Sequence, residues 1–335
     1  MRIWMFLALG VFASAQDRYR AVADQQVRGQ PYTRYFTTDR FDRRIVFYVS
    51  EGPATPLPLA LYVHGSGAQP NFIQAGGRII GDNGHSTIAD VFRGYARLVI
   101  VEKPGVVYLS PLARTGANDD ATRDFWREHT LERWSEAVSA ALIAARSLPF
   151  IDQTKTLVLG HSEGGLVACK VAVDNSFVTH IATLAGGGPT QLFDVIDLTR
   201  AGEFYRHISD DPEVRVKRLL SDWADVLQDP DNPTKIFLGH PYRRWSSFAR
   251  SSPLQELSRT NARIYIAQGS DDRAVTFTSA EVLRAGLVAF GKDVTTDFVM
   301  GADHNFSTEE NPGLGWAAVM QRIRDWFLTP SKRAK

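Results

Sequence analysis

Along the chain, short apolar runs of strand length alternate with longer stretches in which apolar residues recur every three or four positions. Runs at 44–49 and 57–63 predict strands, the second ending on His64-Gly65-Ser66-Gly67. Ser86 is a candidate cap for a short helix before a strand at 98–101, which stops at Lys103-Pro104-Gly105. Leu131, Trp134, Val138, Ala141, Leu142 and Ala145 keep helical spacing and predict a helix from about 130 to 147, with Pro149 just beyond its end. A strand at 156–159 meets Gly160, and a helix follows over 163–173. Further strands are expected at 181–184, 263–267 and 296–300, and helices at 278–290 and 314–328. Strands that alternate with helices need crossover connections, so the pattern predicts an α/β fold with a mostly parallel sheet.

Between about 190 and 260 the rhythm changes. β-branched runs become rare and aromatic residues frequent. Val216, Leu219, Leu220, Trp223, Val226 and Leu227 form a stripe at helical spacing. This region is read as a helical cap inserted into a single domain that spans 16–335.

The first fifteen residues differ from the rest. Arg2 precedes an almost wholly apolar stretch at 3–12, and Ala13-Ser14-Ala15 has the small-x-small form of a signal-peptidase site. Cleavage after Ala15 is expected, which would place the mature chain in the periplasm or outside the cell. The stretch is too short for a stable membrane anchor. Among 335 residues, 44% are apolar and 22% charged, as in an ordinary globular enzyme. The formal charge is +1, and loss of Arg2 takes it to 0, with no basic run to grip phosphates. Nucleic acid is therefore set aside as a partner. Cys169 is the single cysteine, so no intramolecular disulfide forms, and its apolar neighbourhood at 166–173 reads as that of a buried structural thiol.

Gly160-His161-Ser162-Glu163-Gly164 fits G-x-S-x-G directly between a strand and a helix, the context that a nucleophile elbow requires. A serine hydroxyl needs a base to take its proton. His304, in Gly301-Ala302-Asp303-His304-Asn305-Phe306, follows a strand, and so does Gly269-Ser270-Asp271-Asp272. All three segments thus fall at the C-terminal edge of the sheet, where open α/β sheets place their sites. Asp271 and Asp272 compete to orient His304; the spacing from Gly269 to Val275 favours Asp272. The oxyanion needs two backbone donors, for which the amides of Glu163 and Ser66 are candidates.

The Glu163 side chain has two readings: a carboxylate stabilised by the helix dipole, or one facing a substrate cation such as a peptide's amino terminus. Phe204, Tyr205, Trp223, Tyr242, Trp245 and Phe248 either roof a pocket or pack within the cap. Arg243 and Arg244 read as a solvated pair, with an anionic substrate group as the other reading. His85, His129, His180, His207 and His240 show no metal-ligand spacing and read as surface or satisfied core residues. No dinucleotide or phosphate-loop fingerprint appears, so neither cofactor nor metal is expected.

Together these motifs resemble the α/β-hydrolase superfamily over nearly all of the chain after residue 15. Phe150-Ile151-Asp152-Gln153 leading into Gly160-His161-Ser162-Glu163-Gly164-Gly165 looks like the dienelactone-hydrolase and prolyl-oligopeptidase-like branch. The resemblance implies an acyl-enzyme mechanism on an ester or an amide. It departs from the oligopeptidases in that no propeller-sized segment stands ahead of the first motif strand. Ser162 at the elbow disfavours the dehalogenases and epoxide hydrolases, whose nucleophile is an aspartate. The expectation is a serine esterase acting on small-molecule esters through Ser162, His304 and Asp272. The alternatives are a small serine peptidase or amidase acting on short peptides with the same residues, and a binding protein on an inactive hydrolase scaffold.

Overall fold

A computed structural model describes residues 19–110 and 121–330. The expected signal segment lies outside these residues. Among the described residues, thirteen strands run in chain order: β1 (Val22–Gln26), β2 (Tyr32–Thr38), β3 (Arg44–Ser50), β4 (Leu57–Val63), β5 (Phe72–Ala75), β6 (Arg78–Gly81), β7 (Arg97–Val101), β8 (Ile151–His161), β9 (His180–Leu184), β10 (Ile236–Phe237), β11 (His240–Pro241), β12 (Arg263–Gly269) and β13 (Val294–Val299). Nine of them form one sheet in the order β1-β2-β3-β7-β4-β8-β9-β12-β13. The first three pairings are antiparallel, and every pairing from β7 to β13 is parallel. The chain thus has the mostly parallel sheet expected from its alternation, in the α/β-hydrolase fold that the resemblance implies.

Side-chain alternation along β4 shows how both faces are closed. Leu59, Leu61 and Val63 enter one core layer with the helices Leu131–Arg146 and Glu163–Asp174, while Ala60 and Tyr62 enter the other with His85–Phe92 and Gly315–Leu328. Because β4 is buried on both faces, it reads as a continuous apolar run. Residues between β9 and β12 fold into four helices, Gln191–Ala201, Pro212–Gln228, Tyr242–Phe248 and Pro253–Ser258, with a small core of their own around Leu219, Trp223, Phe237 and Trp245.

Several local expectations need correction. The first described helix starts at His85 behind Gly84, whose φ of 76° suits glycine, so Ser86 lies inside the helix and is not its cap. β8 begins at Ile151, five residues earlier than its apolar run, because its pairing with β4 breaks register across the polar residues 152–155. Leu220 and Leu227 belong to the expected stripe but lie on the solvent side of their helix, 42% and 44% exposed. β1 and β2 precede the first strand read from the sequence, and every residue of β1 is exposed. Among the described residues, no helix is long and apolar enough to cross a membrane.

Candidate active site

β8 delivers the chain to Ser162 in a conformation that L-residues seldom adopt, φ 56° and ψ −128°. Two contacts fix that turn. The Ser162 amide donates to Leu184 O at 2.8 Å, and the Gly165 amide donates to Ser162 O at 2.8 Å. The turn is too tight for side chains at its flanks: a Cβ on Gly160 would sit 2.0 Å from Gly164 O, and one on Gly164 would sit 2.2 Å from Val63 O. A non-glycine residue held at positive φ is strain of the kind that clusters at functional sites.

His304 lies on the loop after β13, and Asp272 on the loop after β12. The structure places Asp272, not Asp271, against the imidazole: His304 Nδ1 lies 2.8 Å from Asp272 Oδ2. Gln268 Nε2 donates to the same oxygen at 2.8 Å, while the amides of Ala274 and Val275 donate to Oδ1 at 2.8 and 3.0 Å. Burial alone would raise the Asp272 pKa, but the His304 contact and the two amides hold it below the ordinary value. An ionised Asp272 accepts from Nδ1–H and so leaves Nε2 of His304 free to act as a base. Asp271 is exposed, and its carboxylate accepts from its neighbour Ser270 Oγ at 2.7 Å. His161, the variable residue of the elbow motif, has a further contact: its Nε2 donates to His304 O at 2.9 Å, and burial pushes the ring's pKa down to about 4.

Ser162 and His304 line one cleft of about 420 Å³, together with Ser66, Asn83 and Trp316. The loop after β4 closes on Ser162; a Cβ on Gly65 would stand 3.1 Å from Ser162 Cβ. Ser66 therefore borders Ser162, and Glu163 opens the helix Glu163–Asp174, where an amide has no intrahelical acceptor. A second chamber of about 280 Å³ meets the cleft at Ser66 and Ser162 and runs beneath the insertion, past Leu198, Phe204, Leu238 and Trp245.

The expected aromatic group thus divides. Phe204 and Trp245 line the chamber, Trp223 packs in the insertion's own core, Phe248 joins the main core, and Tyr205 Oη donates to Asp222 Oδ2 at 2.7 Å.

The Glu163 carboxylate is buried in an ion cluster. Lys103 Nζ and His129 Nε2 lie 3.5 and 2.9 Å from Oε1, and Arg244 donates to Oε2 from Nε at 2.9 Å and from Nη2 at 2.6 Å. Burial alone would raise its pKa, yet the His129, Arg244 and Lys103 around it hold it well below the carboxylate range. Arg244 is therefore not solvated, as the sequence suggested, but 2% exposed, because a buried carboxylate needs a buried counter-charge. Lys103 and His129 were not singled out for the site. One hint existed: Glu163 heads a helix whose residues 164–169 are apolar, so its charge had to find partners elsewhere. Among the described residues, no group of three His, Cys, Asp or Glu side chains is arranged to hold a metal.

A family model described as the alpha/beta hydrolase family matches residues 61–319. No curated protein matches the sequence. Among solved structures, an acylaminoacyl peptidase of Pyrococcus horikoshii is similar at TM-score 0.59 and 13% identity, over 92% of this chain and 43% of that one. Est1E of Butyrivibrio proteoclasticus is similar at TM-score 0.53 and 14% identity, over 92% of this chain and 98% of that one. Dipeptidyl peptidase 4 of Porphyromonas gingivalis is similar at TM-score 0.55 and 17% identity, over 89% of this chain and 35% of that one. The chain spans less than half the length of either peptidase, and at these identities the likeness is one of fold.

Proposed function

The chain belongs to the alpha/beta hydrolase family, and from that premise we propose that it is a serine hydrolase cleaving carboxylic esters through an acyl-enzyme intermediate. The observation that carries this reading is the 2.8 Å contact between His304 Nδ1 and Asp272 Oδ2, at the rim of the cleft that Ser162 lines. In the mechanism, Ser162 Oγ attacks the ester carbonyl and His304 Nε2 takes its proton. Asp272 holds the imidazole in the tautomer that can do so and balances the cation that forms. The Ser66 and Glu163 amides receive the developing oxyanion. His304 then protonates the leaving alkoxide, which departs through the cleft that His304 borders. The acyl group occupies the chamber beneath the insertion until water, deprotonated by His304, releases it.

The size and mixed lining of the chamber suit a short acyl group. A peptidase that held a free amino terminus on Glu163 has lost its support, since two cations and His129 already surround that carboxylate. We further propose that the chain is exported, on the strength of residues 1–15.

The test is turnover of p-nitrophenyl esters of increasing acyl length beside aminoacyl and peptidyl anilides, with Ser162→Ala as control. Fast ester cleavage with inert anilides is expected, as is a loss on the order of a millionfold in the variant, as in comparable triads. Near-normal turnover by folded Ser162→Ala would refute the assignment, and anilide cleavage at ester rates would move it to a peptidase.

A further inference from the structure

The two oxyanion donors proposed above lie on separate segments, the loop after β4 and the first turn of the helix Glu163–Asp174. Their strands pair as far as Val63 and Gly160, and both donors lie beyond the end of that ladder. A buried lysine spans the gap. Lys103 Nζ donates to Gly65 O at 2.5 Å and to Gly67 O at 3.1 Å, the carbonyls on either side of Ser66, and lies 3.5 Å from Glu163 Oε1. These three acceptors match the three donors of an ammonium.

The contact with Gly65 has a directional consequence. The Gly65 carbonyl and the Ser66 N–H belong to one trans peptide, in which they point in opposite directions. Anchoring the oxygen on Lys103 therefore aims the Ser66 N–H away from the lysine. The same bond polarises the peptide, and a carbonyl bound to a cation makes its own N–H a stronger donor. On the other side, Glu163 is braced by Arg244 and His129, so the lysine is held against a fixed partner. The fold keeps this ammonium 1% exposed although burial pushes its pKa down to about 8. An apolar residue would fill the space without that opposition.

We propose that Lys103 is a positioning residue of the oxyanion hole, orienting the Ser66 amide through the Gly65 carbonyl and fixing it relative to Glu163. The proposal rests on the serine-hydrolase reading.

The experiment compares Lys103→Met with the intact protein in ester turnover and in binding of an alkyl trifluoromethyl ketone, whose serine adduct places an oxyanion in the hole. Removal of one oxyanion donor lowers kcat by about 10²–10³-fold. Disorienting one should lower it by about 10- to 100-fold, with KM little changed and ketone affinity weakened by the same factor as kcat/KM. A lysine that merely stabilises the fold would lower the melting temperature and leave kcat and ketone affinity as they were. That result, in protein shown folded by circular dichroism, overturns the proposal. Lys103→Gln keeps N–H donors on a shorter stem and gives the second measurement should the Met variant fail to fold. An intermediate loss supports the role, and wild-type values overturn it. Ser162→Ala separates the two claims. Retained turnover there defeats the hydrolase reading itself, whereas an inactive Ser162→Ala beside a fully active Lys103→Met defeats only the role of Lys103.

Discussion

Replacing Asp272 by asparagine tests the orientation of His304 directly, and the structure predicts how the amide would settle. The carboxylate accepts four hydrogen bonds, two on each oxygen. The donors on Oδ1 are the backbone amides of Ala274 and Val275, which cannot turn away. The single oxygen of asparagine must therefore stay with them, and its NH₂ must face Gln268 and His304. Gln268 can rotate its amide to present oxygen, giving up its bonds to Gly269 O and Val275 O. His304 has no such freedom. To accept from the new NH₂ it must carry its proton on Nε2, and it can then no longer take one from Ser162. In a triad of the same chemistry this tautomer change lowers kcat about 10⁴-fold, or about 5.5 kcal/mol of transition-state stabilisation. The assay is the steady-state kinetics of p-nitrophenyl acetate hydrolysis at pH 7.5, beside Asp271→Asn. Asp271 is exposed, and its carboxylate accepts from Ser270 Oγ rather than from His304. Its variant should stay within about threefold of the intact protein, as expected of a surface substitution. Asp272→Asn within tenfold of the intact protein, or Asp271→Asn equally damaged, would refute the reasoning.

Gly160→Ala sets a Cβ 2.0 Å from the backbone oxygen of Gly164, a clash no side-chain rotation relieves. It should destabilise the fold by about 3 kcal/mol or more in urea titrations, and a change below about 1 kcal/mol would show that the elbow is less tight than described. Asp194 is buried at the base of the insertion, and burial pushes its pKa from 3.8 to about 7 against the hydrogen bonds of Ser279 and Thr276. The folded state therefore keeps a proton that the unfolded chain loses, so this residue lowers stability progressively as pH rises from about 4 to 7, by at most about 4 kcal/mol. Asp194→Asn should accordingly melt higher than the intact protein above pH 7, with the gap closing towards pH 4; a gap independent of pH would defeat the argument. Phe204→Ala enlarges the chamber beneath the insertion and should move the preferred p-nitrophenyl ester to a longer acyl chain. An unchanged chain-length profile would mean that the acyl group lies elsewhere.

The elements readable from the sequence are those whose side chains obey a single rule along their whole length. β4 is apolar throughout because both its faces are covered, and Leu131–Arg146 shows its stripe because one face meets the sheet. The elbow was readable because its chemistry is packed into five consecutive residues. The missed elements break those conditions. β1 buries nothing, so it carries no apolar signature. After Ile151, β8 runs through the polar residues 152–155, where its pairing with β4 breaks register. Leu220 and Leu227 keep helical spacing but face solvent, since spacing places a residue on the helix and does not say which neighbour arrives. The ion cluster was illegible for a stronger reason. Its members join Lys103 to Glu163 and Glu163 to Arg244 across 60 and 81 residues, and no local period marks a contact made only by the tertiary fold.

That cluster bears on how far the parts of this enzyme can be exchanged. Arg244 belongs to the insertion, yet its counter-charge sits one residue past Ser162, at the start of the helix Glu163–Asp174. An insertion transplanted from another hydrolase to alter selectivity would have to bring a cation to the same point. Without one, the graft would leave Oε2 of a buried carboxylate without the two hydrogen bonds that Arg244 gives it, and the recipient would lose stability before any new pocket could be judged. The insertion and the scaffold are a matched pair, and a library that diversifies the one should hold Arg244 constant.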